Sequence, residues 1–387
     1  MDYHRAESLA AQILREVDAE AIPHLERTLK TQGAPLEEQV AAKLARSKGA
    51  IDRWRGPLHV SVVFAMYREA ERILPPDQHP LGEDFVNAKV AQLRWLFGDR
   101  DWWDLVIVDD GCPDGSGELA NEIIEDQGHG DVARVLFLAD AIADHHPVAS
   151  GLASPDDSHK GGAIQVGMYE AVSELRPAHI VVYTDADLST HLGQIGLLAQ
   201  SLADGADCAA GSRREPTSVA VKAAPRDHRG KIFIYLWKQM LPPLREIVDS
   251  QCGFKAFRGA SVRELVTGTL EKGFAFDLEL LLRTEIRRPN SVIPVSVAWI
   301  DSEAGSTTTD IDPYLPMLQA VARMYRRYCD PEPWAESFVE LVEAMDTESW
   351  HRLLQAIPAE IASREPSTFP VWSGVDAATI TSSITNT

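Results

Sequence analysis

One stretch constrains this chain more than any other: His179 to Thr190, reading H-I-V-V-Y-T-D-A-D-L-S-T. Ile180, Val181, Val182 and Tyr183 form a short apolar, largely β-branched run, the pattern of a strand buried on both faces. The strand leads directly into Asp185-Ala186-Asp187. The carboxyl end of a buried strand is where an open α/β sheet binds its ligand. Alternate side chains of an extended segment point the same way, so Asp185 and Asp187 can converge on one hard cation, Mg²⁺ or Mn²⁺, and through it hold a diphosphate. Asp side chains in such a loop can equally cap a turn or a helix start. The rest of the chain has to decide between these readings.

The pattern around this stretch is an alternation of strands and helices. Val60–Phe64, Asp104–Asp110, Val132–Leu138 and Ala206–Gly211 read as strands. Helices are predicted at Glu83–Phe97, Glu118–Gln127, from Lys160 to about Leu175, and at Leu192–Leu202. This order implies an α/β fold: a mixed, mostly parallel sheet with helices on both faces. From Glu215 the pattern changes. A polar, basic segment carries Lys222, Arg226, His228 and Arg229, and a helix is expected over Lys231–Leu241. Asp249–Arg258 alternates polar and apolar residues, as an extended, candidate antiparallel segment would. Phe274–Asp277 leads into a helix at Leu278–Ile286, and Ser291–Ile300 is the final strand. Residues 139–157 read as a long polar loop. His145 and His146 lie in it as adjacent histidines, more in keeping with exposure than with metal binding.

This gives a core of residues 58–310, split into 58–214 and 215–310, between a helical N-terminal extension (1–57) and a helical C-terminal extension (311–387) whose Ser- and Thr-rich end is expected to fray. The extensions carry no recognisable chemistry; packing on the core or homo-oligomer contact is their expected role. The chain has 387 residues and a net charge of -21, which argues against nucleic acid as a partner. No apolar run reaches the ~18–20 residues of a membrane span, and Cys112, Cys208, Cys252 and Cys329 are too scattered for a disulfide framework or zinc site. The expected location is cytoplasmic.

Polar groups gather at the predicted carboxyl ends of strands: Tyr67 and Glu69, Asp109 and Asp110, Asp185 and Asp187, Arg213 and Arg214. Carboxylates suit a cation and sugar hydroxyls, and arginines suit phosphate oxygens. Lys160 stands at a Gly-rich helix start, a favourable place for phosphate. There is no G-x-x-x-x-G-K-[ST] loop and no G-x-G-x-x-G after the first strand, so neither a P-loop nor a dinucleotide fingerprint is present.

Seven motifs in order, Y-R-E (Tyr67–Glu69), V-D-D-G (Val108–Gly111), H-K-G-G-A (His159–Ala163), D-A-D, G-S-R (Gly211–Arg213), D-S-Q-C-G-F-K (Asp249–Lys255) and G-F-A-F-D-L-E (Gly273–Glu279), resemble the family 2 glycosyltransferases of GT-A fold, a Rossmann-like architecture. Within that family the chain is most similar to dolichyl-phosphate glucosyltransferases and polyprenyl-phosphate sugar transferases. The resemblance implies a metal-dependent hexosyltransferase, with inverting stereochemistry expected from its relatives. Tyr67, Glu69, Asp109 and Asp110 would contact the base and ribose of a UDP- or GDP-sugar, and Lys160 the nucleotide or its phosphates. Asp185 and Asp187 would bind the metal. Arg213, Arg226 and Arg229 would meet donor or acceptor phosphates, Gln251 and Lys255 would shape the acceptor side, and Asp277 would be the catalytic base. The family more often has Pro at Ala65, Asn at Arg68 and His159, and Ser at Cys112. Residues 139–157 and the lack of membrane helices also differ from membrane-bound relatives, which leaves the acceptor as either a polyprenyl phosphate or a soluble molecule. A retaining enzyme of the same fold, a nucleotidyltransferase making nucleotide-sugars and a non-catalytic binding protein are the alternatives.

Overall fold

The D-A-D strand sits at the middle of the sheet in the computed structural model, which describes residues 1–221, 227–301, 313–371 and 374–385. In chain order the elements are α1 (Tyr3–Glu16), α2 (Ile22–Thr31), α3 (Leu36–Asp52), β1 (His59–Met66), α4 (Phe85–Phe97), β2 (Trp103–Asp109), α5 (Ser116–Asp126), β3 (Ala133–Phe137), α6 (Leu138–Ala143), α7 (Gly161–Ala171), β4 (His179–Thr184), α8 (Ile195–Ala203), β5 (Cys208–Ser212) and β6 (Val219–Val221). They continue with α9 (Asp227–Met240), β7 (Phe254–Arg258), α10 (Gly259–Val266), α11 (Phe276–Arg287), β8 (Val292–Ser296), β9 (Ala298–Ile300), α12 (Tyr314–Tyr328), α13 (Pro333–Glu343), α14 (Thr347–Gln355), α15 (Ala359–Ala362) and α16 (Ala377–Thr385).

Among the described residues a seven-stranded sheet runs β3-β2-β1-β4-β7-β5-β8, with a separate β6-β9 pair. β7 is the antiparallel strand, pairing Thr184 with Phe254 on one side and Ala210 with Lys255 on the other. The other pairings in this sheet are parallel. The fold is therefore mixed, mostly parallel α/β. β4 is buried along its whole length. Ile180 and Val182 pack with α4, α5 and α8 on one face, and Val181 and Tyr183 with α7 and the C-terminal helices on the other. Covering both faces is what makes the strand read as a continuous apolar run.

Several local details differ from expectation. Leu138–Ala143 in the long polar segment is helical, and Leu138 is buried against the core. His146 is bonded to Glu170 (3.0 Å), so it serves as a tether. The final strand is two strands, because β8 joins the main sheet and β9 turns away to pair with β6. α10 was not foreseen; it follows β7 and carries Val262, Leu265 and Val266 into the core. Ala377–Thr385, within the stretch expected to fray, is a docked helix, because Ile380 and Ile384, four residues apart, seat one face of α16 in the core. The N-terminal helices pack on the core, with α3 lying against α8 and Lys43 reaching Ser296 (2.9 Å) while paired with Glu26 (2.5 Å).

α7 begins at the carboxyl edge of the parallel strands, and its approach to the sheet depends on a glycine. A Cβ at Gly167 would lie 2.5 Å from Val63 Cγ1 and 2.7 Å from Val108 Cγ2. Those branched side chains cannot swing away, so Gly167→Ala overpacks the contact by about 1–3 kcal/mol, offset by about 1 kcal/mol of helix propensity. Net destabilisation of up to about 2 kcal/mol is expected in urea unfolding at constant m-value; greater stability would show that α7 can back off the sheet.

Candidate active site

The carboxyl ends of the parallel strands and the amino end of antiparallel β7 meet at one edge. Because β7 runs backwards, Asp249–Gly253, which precede it, arrive beside Asp185–Asp187, which follow β4. Charges then alternate along this edge.

Asp185 is paired through Oδ1 with Lys160 Nζ. Burial works against its charge, but the Lys160 ammonium outweighs that and holds Asp185 below the usual carboxylate range. Asp187 is pushed the other way by burial and by repulsion from Asp185, although its Oδ1 accepts the Ser189 N–H (3.0 Å). A carboxylate whose proton affinity is raised by its neighbour makes a site that a cation would relieve. Gly253 lets the next strand close over this pair: a Cβ there would overlap both carboxylate oxygens of Asp185.

Lys160 is the hub of the edge. Its backbone, at φ +92°, donates to Asp110 Oδ2 (2.6 Å), while its ammonium faces Asp185 with Asp277 and Asp187 in its field. The Gly162 N–H donates to Lys272 O (2.8 Å), tying the K-G-G-A turn to the segment that carries Asp277. Burial raises Asp110 to about 6. Asp109 Oδ1 accepts the N–H groups of Gly111 (2.9 Å) and Cys112 (3.0 Å) and so shapes the loop. Asp109 Oδ2 and Asp110 Oδ1 are buried without a protein partner.

Asp277 lies in the first turn of α11, buried, and accepts a hydrogen bond from Lys255 Nζ (2.9 Å). Burial pushes Asp277 well above the usual carboxylate range, with Lys160 pulling against it, and burial pushes Lys255 down to about 8. Lys255 is fully enclosed, also donating to Cys252 O (2.7 Å), so it supports Asp277 from beneath rather than facing an acceptor. Arg213 is locked by Asp249, which accepts from its Nε (2.8 Å), its Nη2 (2.7 Å) and its backbone N–H (2.8 Å). Arg213 outweighs the effect of burial and holds Asp249 at about 2. Its guanidinium also lies 5.2 Å from the centre of the Trp299 ring.

On the β1 side, burial raises Glu69 to about 7 even though Arg72 grips it (3.0 Å), and Asp187 and Glu83 add repulsion. Arg72 also binds Glu83 (3.0 Å). Tyr67 is exposed at the rim with Arg68 5.3 Å from its ring. Gln251 Nε2 is buried and unpartnered. Arg229 is exposed in the first turn of α9. Arg226 lies outside the described residues.

Two residues of this edge carried no assignment in the sequence. Asp249 was visible within D-S-Q-C-G-F-K, yet its role as the Arg213 partner needs the sheet order. Lys89 is completely buried and donates to the main-chain oxygens of Asp185 (3.0 Å) and Asp187 (2.8 Å). Its signal was a lysine inside the apolar stripe of Phe85, Val86, Val90 and Leu93.

The opposite edge of the sheet has cavities of about 190 and 480 Å³ sharing His59, Asp104 and Arg176. There His59 (2.9 Å) and Arg134 (3.0 Å) already satisfy Asp104, and Ser61 bridges it to His179 (2.9 Å). That cluster ties strand ends together and leaves no orphaned group for a ligand.

The chain is 27% identical over 280 residues to glycosyltransferase AglD of Haloferax volcanii, a match covering 72% of this chain and 37% of AglD. It is 25% identical over 284 residues to the dolichyl-phosphate beta-glucosyltransferase of Drosophila melanogaster, covering 70% of this chain and 76% of that one. By sequence the chain is similar to these glycosyltransferases. The enzyme of the same name from Saccharomyces cerevisiae is 21% identical over 269 residues, with 66% and 71% coverage. The match spans well under two thirds of AglD but most of the shorter glucosyltransferases. No family model matches the chain. Among solved structures, mannosyl-3-phosphoglycerate synthase from Rubrobacter xylanophilus superposes with a TM-score of 0.42 at 16% identity (73% of this chain, 76% of that one). The mannosyltransferase PcManGT from Pyrobaculum calidifontis, in complex with GDP-Man and Mn²⁺, gives 0.37 at 15% identity (98% of each). Both likenesses are too distant to bear on the site.

The close approach of Gly253 gives a direct test of the edge. In Gly253→Ala the new methyl displaces the flexible Asp185 carboxylate from Lys160 without disturbing the sheet. Divalent-metal affinity, measured by calorimetry with UDP or GDP present, is expected to fall roughly 10–100-fold while the unfolding midpoint stays within a few degrees. Unchanged metal affinity would remove Asp185 from the cation site.

Proposed function

We propose that this chain transfers a hexose from a UDP- or GDP-sugar to an acceptor phosphate or hydroxyl, with inversion, in a reaction dependent on Mg²⁺ or Mn²⁺. The observation that carries the reading is the convergence of Asp185 and Asp187 with Lys160 at one sheet edge, flanked by buried carboxylate oxygens that lack a protein partner.

The residues fit a metal of this kind. Among the described residues no three His, Cys, Asp or Glu side chains form a closed metal cage. Two aspartates open to a diphosphate match the habit of Mg²⁺, which is commonly held by one or two carboxylates plus substrate phosphates. The bound cation would neutralise charge growing on the departing nucleoside diphosphate.

The protein's own residues supply the rest. Lys160 stands next to Asp185 and is placed to turn its ammonium to the diphosphate. Asp110 and Asp109, with one free oxygen each, suit hydroxyl or base N–H groups of the nucleoside, and Tyr67 at the rim offers a ring for the base. Arg213, oriented by Asp249 and Trp299, faces phosphate with a guanidinium that is already fixed, which limits the entropy lost on binding. Asp277, raised by burial, is suited to take the proton of a hydroxyl acceptor as its oxygen attacks the anomeric carbon. A phosphate acceptor is already ionised and needs no such base. The dolichyl-phosphate relatives favour a polyprenyl phosphate, while among the described residues no helix is long and apolar enough to cross a membrane.

Purified protein incubated with Mn²⁺ and single nucleotide-sugars is expected to release nucleoside diphosphate from one donor, with loss of at least 100-fold in Asp187→Ala. Release of pyrophosphate from a parallel incubation with a nucleoside triphosphate and a sugar 1-phosphate would favour a nucleotidyltransferase, and no turnover with any donor would contradict the reading. Asp277→Asn separates the acceptors. A hydroxyl acceptor predicts roughly a 10²–10⁴-fold fall in kcat, and a phosphate acceptor predicts little change.

A further inference from the structure

The N-terminal extension reaches the D-A-D segment. Tyr3, at the start of α1, donates its hydroxyl to Leu188 O (2.9 Å), the carbonyl immediately after Asp187. Its ring lies 5.0 Å from that of His191, and His191 Nε2 is bonded to Glu7 (3.1 Å), one helical turn further along α1. α1 is held in turn by α3, where Ala6 and Ala10 pack against Ala41, Leu44 and Ala45.

The segment it touches is fixed from several sides through its main chain. Lys89 of α4 holds the carbonyls of Asp185 and Asp187. Gln92, one turn on, accepts the Leu192 N–H (2.8 Å). The Ile300 N–H of β9 donates to Ser189 O (2.8 Å). Tyr3 supplies the hold on the carbonyl between these, at the point where the chain turns so that the Ser189 N–H can reach the Asp187 carboxylate. The Tyr3 phenol is raised by burial first and by the nearby Asp187 charge second, which places its hydroxyl within the field of that carboxylate.

We propose that α1 is part of the donor site, and that Tyr3 is a positioning residue that sets the direction of Asp187 by fixing the Leu188 carbonyl. This rests on the reading of Asp185 and Asp187 as the metal–diphosphate carboxylates. Tyr3 touches no substrate in this account; it acts through the backbone. The consequence is that the extension preceding the core tunes the affinity of the site for its cation.

The test uses the full chain and Tyr3→Phe, which keeps the ring against His191 and removes one hydroxyl, with Glu7→Gln as a second variant that weakens the grip of α1 on His191. Hydrogen exchange is followed on peptides covering 184–190, and Mn²⁺ binding is titrated by electron paramagnetic resonance with UDP or GDP present. The expected result for Tyr3→Phe is several-fold faster exchange confined to 184–190 and Mn²⁺ affinity lowered about 5-fold, the size of one lost hydrogen bond, with the same direction and a smaller change in Glu7→Gln. Exchange and Mn²⁺ affinity equal to wild type in both variants would overturn the role of α1. So would acceleration spread evenly over α1 and the core, which is the mark of a merely structural contact. Wild-type protein that takes up no Mn²⁺ with either nucleotide would overturn the donor-site reading itself, and the positioning role with it.

Discussion

The site depends on one strand running against its neighbours. Had β7 been parallel, Asp249, Gln251 and Gly253 would lie at the far edge of the sheet, and the carboxyl ends of β1, β4 and β5 would face one another without a basic and amide wall between them. Antiparallel pairing with Thr184 and Ala210 brings the amino end of β7 to the carboxyl end of β4. From there one line of charge follows: Glu69 held by Arg72, Asp187 beside Asp185, Asp185 on Lys160, Asp277 on Lys255, and Arg213 on Asp249. Glu69, Asp185, Asp277 and Asp249 each have an opposite neighbour, which is the condition under which a protein interior tolerates charge. Asp187 is the member whose charge is opposed by both burial and a like neighbour, with no salt bridge among the described residues to offset them.

Much of this was legible because strand ends and motifs coincide. Val108–Gly111, Asp185–Asp187 and Gly211–Arg213 each close an apolar run, so their polar groups had to fall at one edge of a parallel sheet. The polar–apolar alternation of Asp249–Arg258 marked a segment unlike the buried parallel strands, and that segment is β7. What sequence could not supply was partnership across the sheet. Lys255 belongs to a conspicuous motif and was expected on the acceptor side, yet its alternate position on β7 points it inward to Asp277. Lys89 sits on a helix where a lysine is ordinarily solvent-facing, and only its apolar neighbours hinted at burial. α16 was hidden because Ser and Thr outnumber the two isoleucines that dock it.

The flanking helices bear unequally on the edge that carries Asp185 and Asp187. α12 to α16 extend the core beneath α9 and α11, and Tyr328 of α12 bonds Glu279 (2.6 Å), two residues beyond Asp277. Glu279 in turn accepts the backbone N–H groups of Leu270 and Glu271 (2.7 Å each), so the loop leading to Asp277 is braced from the C-terminal side. α1 touches the opposite wall, next to Asp187. The extensions thus buttress Asp187 from one side and Asp277 from the other.

The central claim is that Asp185 and Asp187 receive a cation bridging to a nucleoside diphosphate, with Lys160 released from Asp185 as this happens. A crystal structure grown with Mn²⁺ and UDP or GDP, with data collected at the manganese edge, tests it most directly. The account predicts one anomalous peak between a carboxylate oxygen of Asp187 or Asp185 and the diphosphate, with Lys160 Nζ turned to a phosphate oxygen. A diphosphate bound with no manganese at these aspartates, and Lys160 still on Asp185, would contradict it.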